Sequence, residues 1–101
     1  MNVPEISCEE LYQKLQNNDD FDLIDVRETE EYERANIEKA RLMPLGTLPD
    51  RVFELDADRE IIVHCKMGGR SAQAVAFLQS QGFKNVRNLT GGIQLWLDSP
   101  R

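Results

Sequence analysis

The stretch EIIVHCKMGGRSAQAVAFLQSQG, residues 60–82, places a strand, a glycine-containing loop and a helix one after another. Residues 60–65 form a short apolar run that is β-branched in its middle, which is typical of a buried strand. The residues after the Gly-Gly pair have apolar positions at helical spacing, and Gly82 is a suitable C-terminal stop. A strand that leads directly into a helix is the repeating unit of α/β proteins.

The remainder of the chain alternates in the same way. Ser7 and Glu10 have the spacing of a capping box, which predicts a helix near the start of the chain. A second Gly-Gly pair opens a last helix, in which Ile93, Trp96 and Leu97 are expected to share an inner, packing face. Strands separated by helices predict an α/β fold with a mainly parallel sheet covered on both faces. The other predicted elements are strands at residues 21–26, 40–43 and 85–89 and helices at residues 29–34 and 48–55.

The composition is that of one globular domain. The chain has 101 residues, the usual size of a single domain, and we expect residues 1–101 to form one. Its formal net charge of −6 argues against nucleic acid as the main partner. No stretch approaches the ~20 apolar residues that cross a bilayer, and the N-terminus lacks the pattern of a secretory signal. We therefore expect a cytoplasmic monomer that does not interact with membranes.

Cysteine usage points to thiol chemistry. Cys8 and Cys65 do not make a disulfide framework, and without an export signal we expect both to be free thiols. One histidine and two distant cysteines supply no tetrahedral set of ligands, so we expect no metal ion, and nothing indicates a cofactor. Cys8, in the first turn of the first helix, is interpreted as a small buried hydrophobe.

Cys65 lies where α/β proteins bind their ligands, at the carboxyl end of a strand and just before a helix. Glycines let the loop turn its backbone N–H groups inward, and the helix start adds unpaired N–H groups and a positive dipole end. Such an anion nest lowers the pKa of a thiol and favours the nucleophilic thiolate. We therefore expect Cys65 to be the catalytic residue. The predicted substrate-binding residues follow it in the chain: Lys66, Met67, Gly68, Gly69, Arg70 and Ser71.

Neighbouring polar residues have structural interpretations. His64 precedes Cys65 in the strand and should point to the opposite face, in a structural or solvent-facing role. Asp25 and Arg27 are two apart on a strand, and we expect a scaffold ion pair with a nearby carboxylate such as Glu31. The acidic helix that contains Glu31 is expected to present a solvated face.

HCKMGGRS, residues 64–71, resembles the active-site loop of the rhodanese family, in which a cysteine and an arginine bracket the loop as C-x4-R. LIDVRETEEYERANI, residues 23–37, and GFKNVRNLTGGIQLW, residues 82–96, look like the first and the C-terminal signatures of that family. The three segments occur in the right order and span most of the chain. The resemblance implies a three-layer fold with about five mainly parallel strands. It also implies a sulfurtransferase that carries the transferred sulfur on Cys65 as a persulfide.

Within that family the chain is most similar to the rhodanese-like domain at the C-terminus of adenylating sulfurylases, which serve molybdopterin, thiamine and thiolated-tRNA pathways. The similar segments are EYERANI, RLMPLGTLPDRVFELD and CKMGGRSAQAV. Two departures stand out from the wider family. Residues 35–37 are Ala-Asn-Ile where Gly-His-Ile is common, and residues 38–40 are Glu-Lys-Ala where Pro-Gly-Ala is usual. Neither departure removes the nucleophile or its loop.

The resemblance leaves three functions to compare. The leading one moves sulfur from thiosulfate or a donor protein's persulfide to a thiophilic acceptor, with Lys66 and Arg70 orienting the anionic donor, or Arg70 fixing the loop. The second is a carrier module that takes persulfide from one protein and delivers it to another, with little thiosulfate turnover. The third is a phosphatase. Related phosphatases have a loop one residue longer, C-x5-R, so the four residues between Cys65 and Arg70 favour sulfur over phosphate.

Overall fold

The computed structural model describes residues 2–100, and its strands form one parallel sheet. The strands lie in the order β1-β5-β4-β2-β3, so β4 occupies the centre. Every neighbouring pair is parallel, which confirms the predicted α/β sheet of about five strands. The strands are β1 (Glu5–Ile6), β2 (Asp22–Asp25), β3 (Arg41–Leu42), β4 (Ile61–His64) and β5 (Val86–Leu89).

Helices cover both faces of the sheet and enclose two apolar cores. Ala74, Val75 and Leu78 of the helix after β4 pack on one face, whereas Leu11 and Trp96 pack on the other. Within residues 2–100, no helix has the length and apolar character needed to cross a bilayer. The helices are α1 (Cys8–Gln16), α2 (Thr29–Arg34), α3 (Leu48–Arg51), α4 (Gly69–Ser80) and α5 (Gly92–Asp98).

The central strand β4 decides which side of the sheet each neighbour of the predicted site faces. Successive strand residues point to opposite faces. Ile61, Val63 and Cys65 accordingly join the core under α4, and Ile62 joins the core under α1 and α5. Cys65 therefore faces α4, and His64 is directed to the other side.

Several predicted boundaries and contacts are confirmed. Ser7 accepts a hydrogen bond from the backbone N–H of Glu10 at 3.0 Å, which caps α1. α4 ends just before Gly82, whose φ of +94° lies in the left-handed region that favours glycine. The buried ring of Trp96 packs against Tyr12, with 6.5 Å between ring centroids.

The structure differs from the sequence prediction at three places. β1 was not predicted, because two residues carry no visible alternation; it pairs with β5. The predicted helix at residues 48–55 is shorter, since α3 ends at Arg51 and residues 52–54 form a 3-10 turn. The inward placement of Leu97 is wrong, because its side chain is 55% exposed. The buried face of α5 is narrow, and Leu97 lies one residue, or about 100° around the helix axis, past Trp96.

Gly92 allows α5 to approach the loop that follows β4. Its φ is +59°, and a Cβ atom at this position would lie 2.4 Å from the carbonyl oxygen of Lys66 and 2.6 Å from that of Cys65. Both carbonyls accept hydrogen bonds from α5, because the N–H of Ile93 lies 2.9 Å from the Cys65 oxygen and the N–H of Gln94 lies 3.0 Å from the Lys66 oxygen. The start of α5 therefore supports the Cys65 loop from behind.

We predict that Gly92→Ala lowers the free energy of unfolding by at least about 2 kcal/mol, because it combines a left-handed backbone with a backbone clash. Gly46→Ala is the matched control, since nothing lies within 4 Å of an added Cβ there. It should change stability by less than about 0.5 kcal/mol. Urea unfolding measures both variants. Equal unfolding midpoints for Gly92→Ala and the parent chain would show that the close approach carries no cost.

Candidate active site

Cys65 directly follows β4, and its thiol lies against the first turn of α4. The residue is 2% exposed. The backbone N–H of Gly68 donates to the Cys65 sulfur at 3.1 Å, and the hydroxyl oxygen of Ser71 lies 3.2 Å from that sulfur. Gly68 has a φ of +116°, and α4 begins at the next residue. This left-handed turn directs N–H groups of the loop and of the first helical turn at the sulfur.

The surroundings of Cys65 favour the thiolate. Burial raises the pKa of the thiol, since it penalises the charged form. Hydrogen bonds to the sulfur outweigh burial and bring the pKa below its ordinary value. The donors are the Ser71 hydroxyl and the backbone N–H groups of Ser71, Gly68 and Met67. The predicted anion nest is thus built mainly from neutral donors.

The predicted binding residues fall into three groups. Gly68 and the wholly buried Ser71 contact the sulfur. Lys66 and Met67 have exposed side chains at the rim, and Met67 is 70% exposed. Within residues 2–100 Lys66 forms no ion pair, so its charge is available to an approaching anion. Gly69 and Arg70 belong to the first turn of α4.

Arg70 is held by Glu31 of α2. Its Nη1 and Nη2 atoms lie 2.7 and 2.9 Å from the two carboxylate oxygens of Glu31. The hydrogen bond from Arg70 lowers the pKa of Glu31 to about 2, so the pair is charged over the whole neutral range. Of the two roles considered for Arg70, this geometry supports fixing the loop. Glu31 is half-buried, so the solvated face predicted for α2 does not include it.

The buried ion pair of Asp25 and Arg27 has a different third partner from the expected one. Arg27 Nη2 lies 2.8 Å from an Asp25 carboxylate oxygen, as predicted. The carboxylate of Glu31 does not join this pair, because it binds Arg70 instead. From Glu31, Arg27 reaches only the backbone carbonyl, at 3.4 Å, and its Nη2 also donates to the carbonyl of Ala35 at 2.7 Å. Asp25 and Arg27 therefore tie the end of β2 to α2.

His64 is structural. It is wholly buried on the face opposite Cys65, which excludes the solvent-facing alternative. Its Nδ1 lies 3.2 Å from the carbonyl oxygen of Cys65, and its Nε2 lies 3.6 Å from Asp25, too far for a hydrogen bond. Burial lowers the pKa of His64, which keeps the ring neutral. Cys65 is a free thiol, and the buried Cys8 has its sulfur 3.8 Å from the carbonyl of Thr90.

Asn88 is the part of the site that the sequence did not reveal. It lies near the end of β5 and is 5% exposed. Its side chain lies 2.5 Å from the Ser71 hydroxyl oxygen and donates to the carbonyl of Gly68 at 3.1 Å. A polar residue near the carboxyl end of a parallel strand was the available signal, because ligand sites form at that edge.

Known proteins are similar to this chain over almost its whole length. Residues 7–99 match the family model described as Rhodanese-like domain. A sulfurtransferase of Allochromatium vinosum is 39% identical over 94 residues, which cover 93% of this chain and 88% of the relative. Rhodanese-like/PpiC domain-containing protein 12 of Arabidopsis thaliana is 46% identical over 101 residues and covers 93% of the chain. The chain spans only 34% of that longer relative.

Solved structures agree with the fold. The human single-domain sulfurtransferase TSTD1 matches with a TM-score of 0.87 and 25% identity, over 99% of this chain and 100% of that one. From the adenylating branch, the probable adenylyltransferase/sulfurtransferase MoeZ of Mycobacterium tuberculosis is 34% identical over 90% of the chain and 24% of the relative, a lower identity than that of the Allochromatium and Arabidopsis relatives. The family match and the well-covered sulfurtransferase lead to one conclusion: the chain belongs to the family of rhodanese-like domains.

Proposed function

We propose that this protein transfers sulfane sulfur through a persulfide on Cys65. Its relatives by sequence include a sulfurtransferase of Allochromatium vinosum and a putative sulfurtransferase of Bacillus subtilis, which supports sulfur transfer. The observation that carries the proposal is the ring of neutral donors around the Cys65 sulfur, with Gly68 N–H at 3.1 Å and Ser71 Oγ at 3.2 Å. Donors of this kind stabilise a sulfur anion whenever Cys65 becomes the attacking or the leaving group.

The reaction takes two displacement steps. The Cys65 thiolate attacks the outer sulfur of thiosulfate, a new S–S bond forms, and sulfite leaves with the electron pair of the broken S–S bond. Cys65 then carries a persulfide anion. In the second step an acceptor, such as cyanide or a thiolate, attacks the outer sulfur and Cys65 leaves again as a thiolate. No oxidant or reductant is consumed, because each step exchanges one sulfur bond for another.

Lys66 is the side chain best placed to attract an anionic donor. Arg70 and Arg27 are each bound to a carboxylate, so neither offers its full charge to a ligand. Lys66 adjoins the nucleophile, is exposed and makes no ion pair within residues 2–100. A small anion such as thiosulfate would contact this ammonium group at the rim while its outer sulfur approaches Cys65.

A second candidate function is a dedicated persulfide carrier between proteins. The exposed Met67, 70% accessible next to the nucleophile, favours it, because an apolar side chain at the rim suits contact with a protein surface. The similarity to MoeZ, named as a probable adenylyltransferase/sulfurtransferase, supports the same idea. A carrier would load readily from a cysteine desulfurase and turn over thiosulfate slowly.

We predict that incubation with thiosulfate adds the mass of one sulfur atom to the protein and that added cyanide removes it as thiocyanate. Cys65→Ser should abolish both results, because the serine hydroxyl cannot form a persulfide. Cys8→Ser is the matched control and should keep both, since Cys8 lies in the first turn of α1. Intact-protein mass spectrometry and a thiocyanate assay provide the two readouts. Equal sulfur loading on Cys65→Ser and the parent protein would sink the proposal.

We predict that Lys66→Ala raises the KM for thiosulfate about two- to fivefold, with a smaller change in kcat, because it removes an exposed charge that attracts the anion. Lys84→Ala is the control. Lys84 is exposed and precedes β5, so it lies at the amino-terminal ends of the parallel strands, whereas Cys65 lies at their carboxyl ends. Steady-state kinetics at low ionic strength measure the difference. An unchanged KM for Lys66→Ala would assign anion attraction to the backbone N–H groups alone.

A further inference from the structure

Asn88 contacts two of the residues that donate to the Cys65 sulfur. Its Nδ2 donates to the carbonyl of Gly68 at 3.1 Å, and its Oδ1 lies 2.5 Å from the hydroxyl oxygen of Ser71. Gly68 and Ser71 are in turn the residues whose N–H and hydroxyl lie 3.1 and 3.2 Å from the sulfur. A single buried amide on β5 is thus hydrogen-bonded to two residues at the start of α4.

The orientation of the Asn88 amide follows from its partners. The Gly68 carbonyl can only accept a hydrogen bond, so the NH₂ group of Asn88 must face it. The amide oxygen must then face Ser71. Two oxygen atoms 2.5 Å apart repel each other unless a hydrogen lies between them, and Asn88 Oδ1 has none to give. The hydrogen in this contact therefore belongs to the Ser71 hydroxyl.

Ser71 has a single hydroxyl hydrogen and two acceptors that compete for it. One acceptor is Asn88 Oδ1 at 2.5 Å, and the other is the Cys65 sulfur at 3.2 Å. When Cys65 is a protonated thiol, its S–H can donate to the Ser71 oxygen while Ser71 donates to Asn88. When Cys65 is a thiolate, the sulfur needs the hydrogen itself, and the hydroxyl must turn away from Asn88.

We propose that Asn88 is a positioning residue that competes with Cys65 for the Ser71 hydroxyl hydrogen and so regulates how strongly Ser71 stabilises the sulfur anion. The O–H bond of Ser71 stays intact and only rotates, and the proton that Cys65 loses goes to solvent. The backbone N–H groups are fixed donors, whereas the hydroxyl is a conditional one. The Gly68 contact of Asn88 keeps the amide oriented for this competition.

This switch fits both steps of sulfur transfer. While Cys65 carries a persulfide, its Sγ is bonded to sulfur and is uncharged, so the hydroxyl returns to Asn88. As the second step releases Cys65 as a thiolate, the hydroxyl turns back to the sulfur. The inference rests on the proposed function only in taking Cys65 as the nucleophile. Alkylation of Cys65 reports its thiolate content without any sulfur transfer, so the two can fail separately.

The test is a double-mutant cycle between residues 71 and 88, made in a Cys8→Ser background so that one thiol reacts. The measured quantity is the pH at which the rate of Cys65 alkylation by iodoacetamide reaches half its maximum. This midpoint is compared between proteins with and without the Ser71→Ala substitution. With Asn88 in place, Ser71→Ala should raise the midpoint only slightly, because the hydroxyl gains its hydrogen bond to the thiolate only by giving up its hydrogen bond to Asn88. With Asn88→Leu, Ser71→Ala should raise it by about one pH unit more, or about tenfold in the thiolate equilibrium.

In each comparison the two proteins carry the same residue at position 88 and differ only at position 71. Any effect of losing the contact between Asn88 and Gly68 is therefore the same in both proteins and cancels. Asn88→Ala carries the same prediction if Asn88→Leu does not give a folded protein by circular dichroism. Asn88→Asp is the matched control, because its carboxyl group keeps an acceptor oxygen near Ser71. In that background the effect of Ser71→Ala should stay as small as in the parent. An equal effect of Ser71→Ala in all backgrounds, or a large one in Asn88→Asp, would overturn the proposal.

Discussion

The site depends on one short contact, the hydrogen bond from the backbone N–H of Gly68 to the Cys65 sulfur. It requires the left-handed turn at Gly68, which starts α4 one residue later. It also requires that α5 lies close behind the loop, which the absence of a side chain at Gly92 permits. β4 lies at the centre of the sheet, between β5 and β2. The residues that support the Cys65 loop therefore lie at the carboxyl ends of these two neighbouring strands.

The donors that contact the Cys65 sulfur are neutral. Arg70 is bound to Glu31 and Arg27 to Asp25, and both pairs tie α2 to the rest of the site. The backbone N–H groups are fixed donors, whereas the Ser71 hydroxyl can turn toward the sulfur when the sulfur is charged. This arrangement suits a residue that acts alternately as nucleophile and leaving group.

Local features of the site could be predicted from sequence, and long-range ones could not. Cys65, its loop and the start of α4 are contiguous, so strand, glycine and helix patterns place them together. The partner of Arg70 is Glu31, 39 residues away, whereas the sequence pattern assigns Glu31 to the nearby pair of Asp25 and Arg27. Asn88 reads as an ordinary polar residue in a strand until the fold sets it beside Ser71. β1 pairs through two residues only, which is too few for a periodic pattern.

The most direct test of the central claim, that the loop holds Cys65 as a reactive thiolate, is the pH dependence of its alkylation. The rate is measured with iodoacetamide on Cys8→Ser protein, folded and in urea. Hydrogen bonds to the sulfur favour the charged form in the folded state, so its pKa lies below that of the unfolded chain. The alkylation midpoint of the folded protein should therefore lie at lower pH. A folded midpoint at or above the unfolded one would contradict the claim.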